Sequence, residues 1–337
     1  MHRRLAAGTA VSPGRRGDRW RPVAGPEIAR LRAGMLRRAR EFFSERGVIE
    51  VDTPLLSTAA VSDVNIESIE ARLILDPTRP YFLHTSPEYF MKRMLAAGFP
   101  DIYSIARVFR DGECGRHHQP EFTLAEWYRL NFDLRRIVQD TVEFVAAVTG
   151  CYRAEADHLS YNEALRRHAG VDPTCATVGA LADAAGADED LRASLADDRD
   201  AWLDLLVTSR VAPGFPRDRL TVVSHYPASQ AALARLCPED PSVAERFEVY
   251  GGALELANGY VELADAREQR ARIAADQDER RKRSLPVREV DDAFLAALDA
   301  GLPQCAGVAV GFDRLVMLAA GKDDIRSVTH FPIEVQR

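Results

Sequence analysis

No apolar run in this chain approaches the roughly 18 residues of a membrane-spanning helix, so no α-helical span is expected. Cysteine is scarce: Cys114, Cys151, Cys175, Cys237 and Cys305 are scattered, with no Cys-x-x-Cys pair. That spacing suggests neither a disulfide framework nor a zinc site and fits a reducing cytosol. Positive charge is not in excess either. A net charge of −7 argues against a broad nucleic-acid-binding surface, while a local basic patch remains compatible with it. The first 25 residues lack the apolar segment of a secretory signal. They are Arg-rich, carry Pro and Gly, and hold one acid, Asp18. A disordered basic tail is expected there, with a transit peptide as the alternative.

Against these absences, 46% of the 337 residues are hydrophobic, enough for one large domain or two small ones. Pro26 to Arg46 carries Ile28, Leu31, Met35, Ala39 and Phe42 at three-and-four spacing, followed by Gly47. This predicts an amphipathic helix with a glycine stop. Val48–Val51 reads as a strand ending at Asp52-Thr53-Pro54, and Tyr81–Thr85 as a second. Ser86-Pro87-Glu88 reads as a helix start: a capping serine, proline at the first helical position, then an acid favoured by the dipole. That helix should run to Ala97 and close at Gly98. Glu88 either only complements the dipole or stands at a strand end as a cleft carboxylate for an ammonium group. Asp133 should cap a helix to Thr149, with Gly150 as its stop. Residues 151–220, rich in Ala and Asp, read as a helical insertion with candidate helices Ser160–His168, Val178–Ala185 and Ala201–Val207. No metal or nucleophile constellation is legible in them.

The chain is organised around Arg107 to Tyr128. Ile102–Phe109 is β-branched and aromatic, Arg110–Gln119 is polar with two glycines, and Phe122–Tyr128 is again apolar. The pattern is strand, mobile loop, strand, with Arg107, Arg110, Arg116 and two histidines around it. Either its charges merely face water, or a rigid strand and a basic loop clamp an anionic ligand. Further on, Leu220–Tyr226 reads as a strand. Phe247–Tyr250 and Ala253–Ala257 form a hairpin across Gly251-Gly252, and Asp265–Arg283 a charged, exposed helix. Glu255 and Glu262, seven residues apart around Asn258-Gly259, are either surface glutamates or acids whose burial needs a partner. A magnesium ion bridging them to a phosphate chain would be one. In Gly307–Leu318, GVAVGFDRLVML, an apolar strand reaches a glycine and turns at once into a helix. Gly311 permits close backbone approach, and Arg314 would lie over a base plane or a phosphate.

Together these segments resemble the motifs of class II aminoacyl-tRNA synthetases. The proline-terminated helix–strand is similar to motif 1, FRDGECGRHHQPEFTLAEWY to motif 2 and GVAVGFDRLVML to motif 3. TSPEYFMKRML, PEFTLAEWY and ELANGYVELADAREQ are similar to the lysine branch. The likeness covers residues 27–332. It implies an α+β fold, an antiparallel β-sheet flanked by helices, over 26–337, carrying the 151–220 insertion behind a tail at 1–25. Motif 1 begins near residue 27, so the OB-fold that reads the anticodon in a lysyl-tRNA synthetase is not expected ahead of it. The chain therefore most closely resembles the elongation factor P–lysine ligase family, stand-alone catalytic cores that place (R)-β-lysine on a lysine of elongation factor P. Ser86 and Ala309 agree with that family, where lysyl synthetases tend to carry alanine and glycine.

The resemblance implies roles residue by residue. Arg110 would bind the α-phosphate and stabilise charge developing there. Phe122 and Arg314 would sandwich the adenine, while Arg116 and His118 hold the outer phosphates. Glu255 and Glu262 would bind Mg2+, Glu255-Leu256 would line the nucleotide site, and Gly311 would admit the nucleotide. Ser86, Pro87, Glu88, Tyr128 and Glu262 would line the amino-acid pocket. The family's FRNE stands here as Phe109-Arg110-Asp111-Gly112. The acid expected at the adenine amino group is thus missing, with Glu113 the nearest substitute. Gln119 replaces an asparagine of the ATP site, a longer amide expected still to reach the adenine end of the nucleotide. His84, His117 and His225 are expected to be structural or solvent-facing. The implied setting is cytoplasmic and homodimeric, with ATP, Mg2+, lysine or β-lysine, and elongation factor P rather than tRNA as acceptor. The alternatives are a truncated synthetase acylating a tRNA or another acceptor, and a non-catalytic regulatory paralogue. A paralogue would be expected to lose Arg110, Arg314 or the paired glutamates, and all four are present.

Overall fold

The computed structural model describes residues 20–336, so the expected tail lies, up to residue 19, outside the described residues. The strands are β1 Ile49–Glu50, β2 Leu56–Ser57, β3 Glu70–Ala71, β4 Tyr81–Leu83, β5 Ile102–Phe109 and β6 Glu121–Leu130, then β7 Ala156–Ser160, β8 Leu220–Pro227, β9 Val243–Gly251, β10 Leu254–Val261 and β11 Cys305–Gly311. The helices are α1 Pro26–Glu45, α2 Glu88–Ala96, α3 Leu134–Thr149, α4 Tyr161–Ala169 and α5 Val178–Ala185, then α6 Glu189–Leu195, α7 Arg199–Leu206, α8 Ala266–Lys282, α9 Asp292–Gly301 and α10 Phe312–Ala319. Among the described residues, eight strands form one sheet in the order β1-β5-β6-β11-β10-β9-β8-β7, and β2-β4-β3 form a small second one. The fold is α+β.

The large sheet is not wholly antiparallel, as the resemblance implied. Its two edge strands are parallel to their neighbours, β1 to β5 and β7 to β8. Parallel pairing needs a crossover, and both crossovers carry helices. The 151–220 insertion is one of them: helices α4 to α7 link β7 to β8 and pack Tyr161, Leu165, Trp202 and Leu206 against Val223 and Tyr250. Strand β7 and helix α6 were not legible in the sequence.

Alternation divides the sheet into two faces. Ala125 and Trp127 of β6, Phe247 and Val249 of β9, and Ala306, Val308 and Val310 of β11 join α1, α3 and α10 in one apolar core. Helix α1 buries Met35, Ala39, Phe42 and Phe43 there. Phe43 stacks on Tyr103 at 4.0 Å and meets Trp127 edge-on at 5.2 Å. Helix α3 starts where Asp133 accepts from Arg136 N at 2.8 Å and ends at Gly150, whose φ of 67° suits glycine. The residues between those core positions, among them Phe122, Glu126 and Tyr128 on β6, point to the opposite face. Phe43→Ala should cost about 3–5 kcal/mol through the cavity it leaves, measurable by urea denaturation.

Candidate active site

Register brings the other face together. Glu126, Ala309, Asn258 and Glu248 form one row across β6, β11, β10 and β9. Tyr128, Gly307, Tyr260 and Arg246 form the next. Small residues on β11 leave a trench between β6 and β10. At Gly307 a Cβ would collide with the Tyr128 ring and lie 2.5 Å from Glu262 Oε1. This glycine therefore lets an aromatic ring and a carboxylate close over the strand.

One end of the trench is an acidic pocket. The Ser86 hydroxyl accepts from Glu88 N at 3.0 Å and donates to Glu126 Oε2 at 2.7 Å. Helix α2 thus starts one residue later than its sequence suggested. Pro87 occupies the cap position and makes no side-chain cap. Tyr128 donates to Glu126 at 2.7 Å and Tyr260 to Glu88 at 2.5 Å. Lys92 pairs with Glu88 at 2.7 Å and Glu262 at 2.5 Å. Burial, reinforced by the Glu88 charge, pushes the Glu126 carboxyl up to about 7. Burial, with Glu88 and Glu126 acting against the relief from Lys92, pushes Glu262 up to about 8. A small solvent-open cleft lined by Leu83, Ser86, Glu88 and Phe90 adjoins it.

The other end is cationic. Arg110, just beyond β5, lies over the Phe122 ring at 5.2 Å and pairs with Glu113 at 3.5 Å. Its buried Nε has no hydrogen-bond partner among the described residues. Arg314, in the first turn of α10, donates to the Glu255 carbonyl at 2.8 Å, pairs with its carboxylate at 3.3 Å and lies 2.7 Å from His118 Nε2. Burial and then the Arg314 charge lower His118, which favours its neutral form. Gly311 has an ordinary φ of −68°. A Cβ there would meet Arg314 at 3.4 Å, so its contribution is room.

Of the sequence-predicted residues, the structure brings together Ser86, Pro87, Glu88, Tyr128 and Glu262 at one end. Arg110, Glu113, Phe122, Glu255, His118, Gly311 and Arg314 lie towards the other. Four expectations need correction. Glu255 and Glu262 do not form a metal pair: β10 runs from Leu254 to Val261 without a turn at Asn258-Gly259, which at ~3.3 Å per residue sets the two backbones up to about 23 Å apart. Leu256 points into the core beneath the sheet, leaving only its backbone beside the arginine end. Arg116 turns outward to Asp323. Gln119 is buried under the C-terminal segment, accepting from Ile333 N at 3.0 Å and donating to Glu334 at 3.2 Å.

Sequence reasoning missed Lys92, Glu126, Tyr260 and Glu248. The first two had a signal, an i,i+4 Glu–Lys pair and a carboxylate alternating with Trp127 in an apolar strand. Glu248 had none, because its neighbour is set by the β9–β10 register. Its carboxyl is raised by burial and then by the Glu255 charge, so Glu248 is the acid that lies near Glu255. Among the described residues no cluster of three or more His, Cys, Asp or Glu could hold a metal ion. Glu248 pairs with Arg246 at 2.7 Å and Glu255 with Arg314 at 3.3 Å, and these two acids are the ones whose oxygens would hold a divalent cation together with a bound phosphate chain.

A trench with a carboxylate pocket at one end and two arginines at the other, one just beyond β5 and one in the first turn of α10, matches the resemblance to the class II synthetase motifs. The family model "tRNA synthetases class II (D, K and N)" matches residues 20–335. Among curated relatives, an elongation factor P–(R)-β-lysine ligase of Hamiltonella defensa subsp. Acyrthosiphon pisum (strain 5AT) is 44% identical over 325 residues, covering 94% of this chain and 98% of that one. A protein of the same name from Klebsiella pneumoniae (strain 342) is 45% identical over 320 residues, with the same coverage. The chain belongs to the class II tRNA synthetase family and, within it, to the elongation factor P–(R)-β-lysine ligases.

Gly307→Ala should raise the KM for the amino acid at least about tenfold, since its methyl group displaces Tyr128 or Glu262. Its KM for ATP should stay within twofold or so, because the arginine end is untouched. Separate KM measurements for the two substrates check this.

Proposed function

We propose that this chain activates (R)-β-lysine, or lysine, with ATP and transfers the acyl group to a lysine side chain of elongation factor P. The observation that carries this reading is the pocket of Glu88, Glu126 and Glu262, whose acids suit a substrate with two ammonium groups, set in one trench with Arg110 and Arg314. The substrate carboxylate attacks the α-phosphorus, the bond to the leaving pyrophosphate breaks, and an acyl-adenylate forms. The acceptor's neutral ε-amine then attacks the acyl carbon, AMP leaves, and the amine gives up a proton.

In this reading Arg110 faces the α-phosphate, and its unpartnered Nε is available to an anion. Phe122 and Arg314 enclose the adenine, His118 reaches the outer phosphates, and Arg116 joins them once it leaves Asp323. Glu113 is the acid nearest the adenine end. Glu248 and Glu255 would hold Mg2+, which when bound neutralises phosphate charge. No protein nucleophile is required, because positioning and charge stabilisation supply the rate. The exposed edge at β1, with Ile49 half exposed, supports a homodimer paired through the motif 1 helix–strand. An elongation-factor acceptor places the reaction in the cytoplasm. Among the described residues no helix is long and apolar enough to cross a membrane.

Incubation with ATP, Mg2+ and each lysine isomer should add one lysyl or β-lysyl mass to elongation factor P and none to tRNA. Label on tRNA alone would move the acceptor to the truncated-synthetase reading. Arg110→Ala should lower pyrophosphate exchange by about 10²–10³ while the melting temperature stays near wild type. Turnover close to wild type in that variant would contradict the role given to Arg110.

A further inference from the structure

We infer that Lys92 is a positioning residue that sets the charge of the amino-acid pocket, tying Glu88 to Glu262 so that the pocket lacks the two positive charges a diamino acid brings. The inference rests on the functional reading above and deepens it. The Lys92 side chain is 1% exposed. It leaves the first turns of α2, where Glu88 lies one turn earlier on the same face, and reaches Glu262 just past β10. Its ammonium sits 5.5 Å from the Tyr260 ring and 5.8 Å from Phe294 of α9. Burial opposes its charge, but Glu262 and Glu88 outweigh burial and keep it protonated. A fixed cation cannot grip a substrate ammonium, so Lys92 acts through the acids it holds.

When all are ionised, three carboxylates against one ammonium leave two negative charges. The partners of Glu126 are the Ser86 and Tyr128 hydroxyls, which add none. Tyr89 of α2 and Cys305 of β11 face the same cluster, and burial first of all holds both in their neutral forms, as it does Tyr128 and Tyr260. An amino acid with one ammonium would leave one of these acids protonated, or ionised and unpaired at the cost of an uncompensated charge. Lysine and β-lysine each bring two. Their carboxylate is directed at ATP and Arg110, outside this count.

The sign of the pH dependence follows. In the free pocket Glu126 and Glu262 titrate near 7 and 8, and a diamine binds their ionised forms. Binding therefore expels protons, and affinity climbs as pH rises through those values. Lys92 favours the ionised acids, so removing it moves the climb to higher pH.

The test measures pyrophosphate exchange driven by (R)-β-lysine and by L-lysine from pH 6 to 9 for wild type, K92M and K92R. K92M should raise the amino-acid KM about tenfold or more and shift its pH midpoint up by about one unit, with the ATP KM unchanged. K92R should keep the wild-type midpoint. A K92M variant that loses melting temperature and kcat while its midpoint stays in place would overturn the inference and leave the functional reading standing. Should K92M not fold, calorimetry on the wild type in two buffers of different ionisation enthalpy decides. Net proton release on β-lysine binding at pH 7 is expected, and none would sink the idea. Wild type that exchanges with no lysine isomer would remove the functional reading and this inference together.

Discussion

The cost of placing carboxylates on a buried sheet face governs this molecule. Glu126, Glu248 and Glu262 are each under a tenth exposed, where an unpaired ionised carboxylate is very unfavourable. The chain meets that cost at two stations. Lys92 stands between Glu88 and Glu262 beneath Tyr128 and Tyr260, and Arg246 pairs with Glu248 at 2.7 Å between Tyr226 and Tyr250. A buried pair of this kind adds little net stability, yet breaking one partner leaves an exposed deficit of charge in a dry place. The stations are better understood as devices for holding acids at fixed points. The rigid apolar layer of α1, α3 and α10 on the far side gives them a base that does not yield.

Glycine and alternation convert that base into a trench. Gly307, Ala309 and Gly311 occupy the same face of β11 between the acid-bearing β6 and β10, so side chains on the flanking strands lean inward over an empty line. The opposite face of the same strand carries Ala306, Val308 and Val310 into the core. Gly259 of β10 is confined from the core side, where a Cβ would come within 2.7 Å of Phe247 and Val308. Glycines on neighbouring strands thus serve opposite faces, one opening the site and the other closing the core.

Much of this was legible in the sequence, and the failures share one cause. Three-and-four spacing gave α1, an aspartate cap and a glycine stop gave α3, β-branched, aromatic and apolar runs gave β5 and β6, and the order of the three motifs gave the family. What periodicity reports is the face a residue occupies, never the residue opposite. Glu255 and Glu262 look like a pair on paper because they are close in sequence, but an extended strand separates them. Glu248 becomes the neighbour of Glu255 only through a strand register. Gln119 looked like an adenine contact, yet its amide is taken up by Ile333 and Glu334, more than 200 residues further along. Lys92 sat in plain view inside MKRML, and its meaning appeared only once Glu262 was folded against it.

The two ends of the trench differ in how firmly they are built, and the difference suits the chemistry proposed for each. At the amino-acid end the ion pairs are dry, with Lys92 and Glu262 each 1% exposed, so water does not compete for them and the acids stay put. At the phosphate end Arg116 and Asp323 are exposed, 62% and 83%, and such a pair contributes roughly 0–1 kcal/mol. In the proposed reaction a phosphate chain carrying several charges would take Arg116 from Asp323 at little cost, and its departure as pyrophosphate would let Arg116 return. The pocket that must distinguish one amino acid from another is therefore held by buried charge. The loop that in the proposed reaction would admit ATP and release pyrophosphate is held by surface charge, weak enough to let it move.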